Sequence, residues 1–551
     1  MCKEDKAETP TKELSCDYLV VGAGTAGMSF IDTLLTEDPA ATVILVDRNS
    51  KPGGHWTMAY PFVRLHQPSC NYGVNSLRLG KTSDAKGREA FDIDDRATGA
   101  EVVEYYEKVA EQFKGSGRVR CFFDVEYEAK DDKHGFVDKE GLVCHVKCRK
   151  VVTVGSKVVV PSMRGPLIPV HESVSFSPVN HIPEAVESGK YTSFIVVGAG
   201  KTGSDAVLEL LARGIDQSAI SWIISRDVWY ILRDGLYSDP NYWQCGRKML
   251  EPMIEASSAE GAFLALEKQN IFGRLQPNGK VPLICKGPTI EIAELAKLRS
   301  IKNVLRLGRV KSIAEDKILL ENGMLPLDAT NTLVVDCMVD QLYGYLDFDE
   351  NFRFFEHDRI NLGPTLAVFN PSFSSAIVAY IEATFKADEP KNKLCFPLVG
   401  KYSDEATIDL LLGGLYAQSK QLQTLMTHPP ARKFILNSRT NLDAPMHHGG
   451  VWKMLWAMLG PPQLAKSFVR LVEKIENGGY TGIDHTFGID RNREIRSKEI
   501  RAWLRESSEG SVKRETHIPY PQKHSMGSAW SCCTSADAVV KMNSSNGSER
   551  M

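Results

Sequence analysis

The chain carries the same glycine-rich pattern twice, and this repeat constrains its fold more than any other feature. The first glycine loop, residues 22–27, reads GAGTAG and follows the apolar run 17–21. A helical pattern, 28–35, comes next, and a second apolar run, 42–46, ends directly before Asp47. A G-x-G-x-x-G turn between a buried parallel strand and a helix is typical of a Rossmann unit that binds a dinucleotide.

Each glycine of the first loop has a physical task in such a unit. Gly22 permits the tight turn, Gly24 lets the backbone approach a pyrophosphate, and Gly27 lets helix and strand pack closely. The N–H groups at the amino end of the helix stabilise phosphate charge. Asp47 is expected to accept hydrogen bonds from a ribose diol, and Arg48 beside it is included among the cofactor-binding residues. The alternative is a turn that packs a strand on a helix and binds no ligand.

The second glycine loop, residues 198–203, reads GAGKTG and follows the strand pattern 191–197. A helical pattern, 206–212, comes after it. The next strand pattern ends at Arg226 instead of an acid, and an arginine suits the 2′-phosphate of NADP. Asp227 beside it keeps NAD open as an alternative, and Arg226 as a solvated or paired surface residue is another. The residues expected to bind the coenzyme are Gly198, Gly200, Lys201, Thr202, Gly203 and Arg226, with Lys201 either on the phosphate or in solvent.

Two dinucleotide patterns in one chain indicate two coenzymes, because a simple nicotinamide dehydrogenase needs one. The natural pair is a resident flavin dinucleotide and a visiting nicotinamide dinucleotide, between which hydride passes. The acid at residue 47 assigns FAD to the first loop, and the arginine at residue 226 assigns NADPH to the second. The expected fold class is α/β, with two Rossmann-like dinucleotide-binding domains, the NADP domain inserted in the FAD domain, and an added C-terminal helical region.

Composition excludes several other classes of protein. Among the 551 residues, 66 Lys and Arg stand against 69 Asp and Glu, and this balance of −3 argues against a nucleic-acid partner. The 12 cysteines include no C-x-x-C pair, which argues against a disulfide scaffold, a metal site or a redox cysteine pair. No apolar run reaches the ~18 residues that a membrane span needs. Residues 1–14 lack a secretory signal, so a cytoplasmic protein is expected by default.

Further motifs surround the two loops. Residues 52–56 read PGGHW, an apolar strand pattern ends at Gly155, and another, 333–337, contains Asp336. In this order the motifs resemble the flavin-containing monooxygenase-like group of FAD/NAD(P)-binding oxidoreductases, over about residues 16–345. Pro178 departs from the group's pattern, which has glycine at that place.

The resemblance implies roles for particular residues. The Gly-Gly-x-Trp segment, here Gly54, His55 and Trp56, runs close to the flavin in that group. Asn75 is implied to lie near the reactive carbon of the flavin, and Asp336 to end the late FAD segment near the isoalloxazine and ribityl chain. In that case NADPH reduces FAD, and a flavin hydroperoxide oxygenates a nitrogen- or sulfur-containing small molecule. Two alternatives stay open: a flavin reductase or oxidase without oxygen insertion, and a catalytically silent redox-sensing flavoprotein.

Three residues are the catalytic candidates, each with a structural alternative. Trp56 is expected to stack by the flavin or to serve as a core aromatic residue. Arg64 is expected to stabilise an anionic reduced flavin or a substrate carboxylate, or to donate to backbone carbonyls. The amide of Asn75 is expected to hydrogen-bond a peroxide, or the residue belongs to a turn.

The patterns also predict the division of the chain. The FAD-binding domain is expected at residues 15–185 and 329–403, and the NADP-binding domain at 190–328. A helical C-terminal region follows at 404–505, and a largely disordered tail at 506–551. The apolar residues 452, 456 and 458 predict core or subunit packing, which leaves a homodimer open, and contact with a membrane surface is the alternative.

Overall fold

The computed structural model describes residues 11–80, 94–130, 133–154, 159–237, 245–285, 287–338, 352–362, 370–395 and 428–441, with a few short pieces between 422 and 477. Most of the helical region expected at 404–505, and the whole tail expected at 506–551, lie outside the described residues. The same holds for residues 452, 456 and 458. Among the described residues, no helix has the length and apolarity needed to cross a membrane.

Strands and helices alternate along much of the described chain. The strands are β1 Thr11–Val21, β2 Val43–Asp47, β3 Val119–Phe123, β4 Tyr127–Lys130, β5 Lys133–Val137, β6 Val143–Val154, β7 Ser175–Pro178, β8 Ser193–Val197, β9 Ile220–Ile223, β10 Tyr230–Leu232, β11 Phe272–Gly273, β12 Thr289–Ile290, β13 Val304–Leu305, β14 Val310–Ile313, β15 Lys317–Leu320, β16 Gly323–Pro326, β17 Thr332–Asp336 and β18 Arg359–Leu362. The helices are α1 Thr25–Glu37, α2 Gly99–Gly115, α3 Ile182–Glu187, α4 Lys201–Ala212, α5 Arg233–Tyr237, α6 Cys245–Glu255, α7 Ala259–Lys268, α8 Ile292–Ser300, α9 Pro371–Thr384, α10 Asp388–Leu394 and α11 Pro429–Asn437.

The first sheet is built around β1 and carries the first glycine loop. Strands β3, β2, β1, β6 and β18 are parallel and hydrogen-bonded in this order. The antiparallel hairpin β4–β5 pairs with the first part of β6, and β18 pairs with its last part. Leu19 and Val20 are fully buried, as expected for a parallel strand covered on both faces. Helix α1 packs near β1 and β6, and α9 packs against α1.

The second sheet is also parallel, in the order β13, β9, β8, β17, β7, and carries the second glycine loop after β8. The mixed α/β class with parallel sheets is thereby confirmed. Two boundaries need correction, because β7 and β17 lie in this sheet whereas residues up to 185 and from 329 were expected in the first domain. A buried parallel strand has the same apolar, β-branched composition in either sheet, so the pattern does not reveal its partners.

Candidate active site

The first glycine loop has the geometry that its sequence predicts. Gly22 has a φ of +108°, and its N–H donates to the carbonyl of Val46 at 2.8 Å. A Cβ at Gly27 would lie 2.1 Å from the carbonyl oxygen of Gly22, so a side chain there is excluded. Gly24 differs, because its φ of −81° suits any residue and its Cβ would lie 3.6 Å from Gly54. The missing side chain at Gly24 therefore leaves space at the start of α1, as the approach of a ligand to the backbone requires.

Asp47 ends β2 beside this loop and is buried. One carboxylate oxygen accepts from the N–H of Ala23 at 2.5 Å, and the other accepts from the N–H of Asn49 at 2.7 Å. These bonds fix the carboxylate against the loop, and each oxygen retains a lone pair for a further donor. Arg48 is exposed next to it.

The Gly-Gly-x-Trp segment contacts the first glycine loop directly. The N–H of Gly53 donates to the carbonyl of Ala23 at 2.8 Å, and a Cβ at Gly54 would lie 2.9 Å from the Cα of Gly24. Residues Gly54–Met58 then form a 3₁₀ helix in which His55 is exposed and Trp56 is partly buried. The structure thus brings the predicted residues of this segment to the amino end of α1.

A chain of hydrogen bonds connects Trp56 to the first residue of α1. The indole N–H of Trp56 donates to the hydroxyl of Tyr72 at 2.6 Å, and that hydroxyl shares a hydrogen bond with Thr25. The hydroxyl of Tyr106 donates to Thr25 Oγ1 at 2.9 Å. Burial raises the pKa of Tyr72, so that its hydroxyl stays protonated at neutral pH. Sequence reasoning missed Thr25, Tyr72 and Tyr106, although Thr25 lies inside the glycine pattern itself.

The contacts of Arg64 are those of its structural alternative. Its side chain is exposed, and its guanidinium donates to the carbonyl of Arg96 at 3.0 Å. Arg64 and Thr98 also form an isolated antiparallel bridge. Arg64 therefore joins two loop segments of the chain.

Asn75 lies against the middle of α1. Its N–H donates to Asp32 at 2.9 Å, and Asp32 stands seven residues after Thr25, about 10 Å along the helix axis. Its side-chain oxygen accepts from the Ser438 hydroxyl at 3.0 Å and from the Thr440 N–H at 3.3 Å. These are the contacts of a loop asparagine, the alternative to the catalytic prediction.

The loop that contains Asn75 is held by a buried arginine that sequence reasoning missed. The guanidinium of Arg439 donates to the carbonyl of Tyr72 at 2.8 Å, to the carbonyl of Val74 at 3.1 Å, and to that of Cys70. Asp32 lies nearby; its burial raises its pKa, and the charge of Arg439 opposes that shift. No local pattern links Arg439 with residues more than 360 positions earlier in the chain.

The second glycine loop repeats the construction of the first. Gly198 has a φ of +135°, and its N–H donates to the carbonyl of Ile223 at 3.0 Å. A Cβ at Gly203 would lie 2.1 Å from the carbonyl oxygen of Gly198. A Cβ at Gly200 would meet nothing within 4 Å, so this loop also leaves space at the start of its helix.

Charged and polar side chains lie around the second loop. Lys201 forms an ion pair with Asp205, and Thr202 hydrogen-bonds the side chain of Tyr60. Arg226 follows β9 and is partly buried. Asp227 beside it accepts two hydrogen bonds from Arg306, at 2.8 and 3.1 Å. The carboxylate that kept NAD open as an alternative is therefore engaged by a second arginine.

Asp336 lies at the end of a strand of the second sheet, and its place in a late FAD segment stays a prediction. It ends β17, which pairs with β7 and β8, and it is buried. Its carboxylate accepts from Arg164 and from the N–H of Met338, both at 2.9 Å. A Cβ at Gly198 would lie 2.8 Å from the carbonyl oxygen of Cys337, which places this strand end beside the second glycine loop.

Comparison with known proteins identifies relatives that match most of the chain. The uncharacterised proteins Rv2000 of Mycobacterium tuberculosis and Mb2023 of Mycobacterium bovis are each 34% identical over 443 residues, which cover 79% of this chain and 79% of each relative. The chain belongs to the family of these mycobacterial proteins. No family model matches the chain.

A more distant relative of this chain is the FAD-dependent monooxygenase DEP4 of Alternaria brassicicola. It is 27% identical over 241 residues, which cover 40% of this chain and 36% of DEP4. This similarity confirms the resemblance to flavin-dependent monooxygenases that the motif order predicts.

Among solved structures, an open form of cyclohexanone monooxygenase has a TM-score of 0.40 and 14% identity, covering 85% of this chain and 98% of that one. A flavin-containing monooxygenase from Stenotrophomonas maltophilia has a TM-score of 0.35 and 12% identity, covering 63% and 85%.

Proposed function

We propose that the chain is an FAD-dependent oxidoreductase that is reduced by NADPH. The observation that carries the proposal is the presence of two glycine loops of matching geometry that one segment connects. This segment is residues 53–60. Its Gly53 bonds Ala23 of the first loop, and its Tyr60 bonds Asp205 in the helix of the second loop. Two dinucleotide sites joined in this way suit hydride transfer between two coenzymes.

The residues around the first glycine loop fit FAD. The space at Gly24 and the amino end of α1 suit its pyrophosphate, and the Asp47 carboxylate suits the ribose hydroxyls. Bound FAD supplies hydride and oxygen chemistry that side chains do not possess. The Tyr72 hydroxyl, itself bonded to Thr25, accepts from the indole N–H of Trp56, so this aromatic residue has a fixed position beside the coenzyme site.

The second glycine loop fits NADPH. The space at Gly200 and the amino end of α4 suit a pyrophosphate, and Arg226 suits a 2′-phosphate. Lys201 and Thr202 lie at the start of α4. The role of the protein in the transfer is to bind and orient the two coenzymes and to exclude water from between them.

We further propose that the reaction oxygenates a nitrogen- or sulfur-containing small molecule. The similarity to DEP4, a FAD-dependent monooxygenase, supports this step over simple electron transfer.

The proposed domain division follows the two sheets: the first domain comprises residues 11–154 and 359–395, and the second is inserted at 175–336. The helical region at 404–505 remains a proposal that α11 supports.

The visible spectrum tests the proposed function. The purified protein is expected to be yellow, and anaerobic NADPH is expected to bleach it. When oxygen is then admitted with candidate amines and sulfides, NADPH consumption should match the oxygenated product. Release of peroxide in equal amount with every compound would indicate a reductase or oxidase. A flavin that NADPH does not bleach would indicate a silent flavoprotein.

Substitution of Arg226 tests the preference for NADPH. Arg226→Ala should raise KM for NADPH by about tenfold, the value of one charged hydrogen bond to the 2′-phosphate, and leave KM for NADH nearly unchanged. Steady-state kinetics with both coenzymes measures the effect. Arg213→Ala is the control, because Arg213 lies at the other end of α4 and pairs there with Glu187 and Glu209. Equal changes for NADPH and NADH would contradict the phosphate role.

A further inference from the structure

An ion pair lies at the amino end of the second dinucleotide helix. Lys201 is the first residue of α4, and its ammonium pairs with Asp205 one turn later. Both side chains are largely buried, with 13% and 11% of their surface exposed. The second carboxylate oxygen of Asp205 accepts from the Tyr60 hydroxyl at 2.6 Å. Asp205 thus has two partners, one in its own helix and one in the segment that follows the first glycine loop.

Tyr60 keeps Asp205 in this position. Its ring lies 4.8 Å from that of Phe62, and both rings pack against the apolar core of the second sheet. Burial and the neighbouring Asp205 raise the pKa of Tyr60 well above its ordinary value, so the hydroxyl remains a donor at neutral pH. Asp205 therefore presents a carboxylate that is held by the Tyr60 hydroxyl beside Lys201.

The first glycine loop lacks these charges. The residues equivalent to Lys201 and Asp205, counted from the middle glycine of each loop, are the neutral Thr25 and Ser29. Ser29 is buried and donates to the carbonyl of Gly73 at 3.0 Å. The two loops share their backbone geometry but differ in the electrostatics of the helix that receives the phosphate.

A carboxylate so close to a helix amino end opposes the binding of an anion. The helix dipole and free N–H groups attract phosphate, and a lysine adds to that attraction. Asp205 reduces it in two ways, through its own negative charge and by holding the Lys201 ammonium in an ion pair. The net charge of the pair is zero, whereas an unpaired lysine would contribute a full positive charge.

We propose that Asp205 determines how tightly the second glycine loop holds its phosphate-bearing coenzyme, by neutralising Lys201 while Tyr60 fixes the carboxylate. This inference rests on the proposed function. A coenzyme that leaves after each hydride transfer must bind with moderate affinity, whereas a flavin that stays bound can be held tightly. Asp205 acts through Lys201 and is a positioning residue. Tyr60, which bonds the Asp205 carboxylate, belongs to the segment that contacts the first loop.

The test measures binding of NADP⁺ to the flavin-loaded protein by calorimetry, and KM for NADPH in the same preparations. Asp205→Asn is expected to tighten NADP⁺ binding and lower KM by about three- to tenfold, because a charge at a helix end has an effect of this size. Lys201→Met is expected to weaken binding, and the double variant to return toward the wild-type value. Asp205→Ser, which copies the first loop, replaces Asp205→Asn if that variant does not fold.

Glu209→Gln is the matched control. Glu209 also forms an i,i+4 ion pair on α4, with Arg213 at 2.7 Å, but at the far end of the helix. Its substitution should leave NADP⁺ binding unchanged. Unchanged or weaker binding in Asp205→Asn and Asp205→Ser would overturn the inference while the proposed function stands. Failure of the proposed function would look different, because the wild-type protein itself would neither bind NADP⁺ nor be bleached by NADPH.

Discussion

Gly24→Val should yield a folded protein that has lost its flavin. The backbone at Gly24 suits valine, with φ −81° and ψ −178°, and its Cβ would be in ordinary contact with Gly54 at 3.6 Å. The fold therefore tolerates the change, but the branched side chain fills the space that a pyrophosphate needs. Bound FAD is expected to fall from about one per chain to less than about 0.1, measured from the visible and ultraviolet absorbance of the purified protein.

Two further glycine variants separate a blocked coenzyme from a damaged fold. Gly200→Val makes the same change in the second loop, where φ is −78°, and should keep the yellow colour while preventing reduction by NADPH. Gly27→Ala places a Cβ 2.1 Å from a backbone oxygen and should destabilise the whole unit. A Gly24→Val protein that stays yellow would show that the flavin does not lie on the first loop.

Arg439→Met should release the segment 438–441 from the loop 70–75. The substitution leaves buried carbonyls of Cys70, Tyr72 and Val74 without their donor and Asp32 without its nearby positive charge. Removing one partner from such a buried arrangement costs about 3–5 kcal/mol. Amide exchange of both segments should therefore accelerate by about 100-fold or more, which mass spectrometry of peptides measures.

The control for this prediction is Arg432→Met. Arg432 is exposed on α11, near Arg439 in sequence, and its replacement by the same side chain should change exchange little. Equal protection of segments 70–75 and 438–441 in the Arg439→Met and wild-type proteins would show that Arg439 does not hold them together.

Local patterns predicted the two strand–turn–helix units well. The first strand, expected at 17–21, extends over Thr11–Val21, and the helix expected to begin at Met28 begins at Thr25. In the second unit the helix expected from Ala206 begins at Lys201. The early helix starts were missed because the first turn of each helix contains glycine and polar residues, which carry no apolar periodicity.

Several side-chain contacts, both within one helix and between distant segments, were beyond prediction from one sequence. Lys201 was expected on phosphate or in solvent, and its ion pair with Asp205 depends on a turn of helix that the pattern did not reveal. The hydrogen bond from Tyr60 to Asp205 and the carbonyl contacts of Arg439 depend on how separate segments pack. The strand that ends in Asp336 was misplaced because its apolar residues suit either sheet.

The pairing of β18 with the end of β6 has a consequence for how the protein is made on the ribosome. Residues 151–154 are synthesised some two hundred residues before 359–362, which complete their side of the sheet. During that interval the nascent chain presents an open strand edge, a surface that invites pairing with other chains. Translation speed and early chaperone binding are therefore expected to affect the yield of native protein.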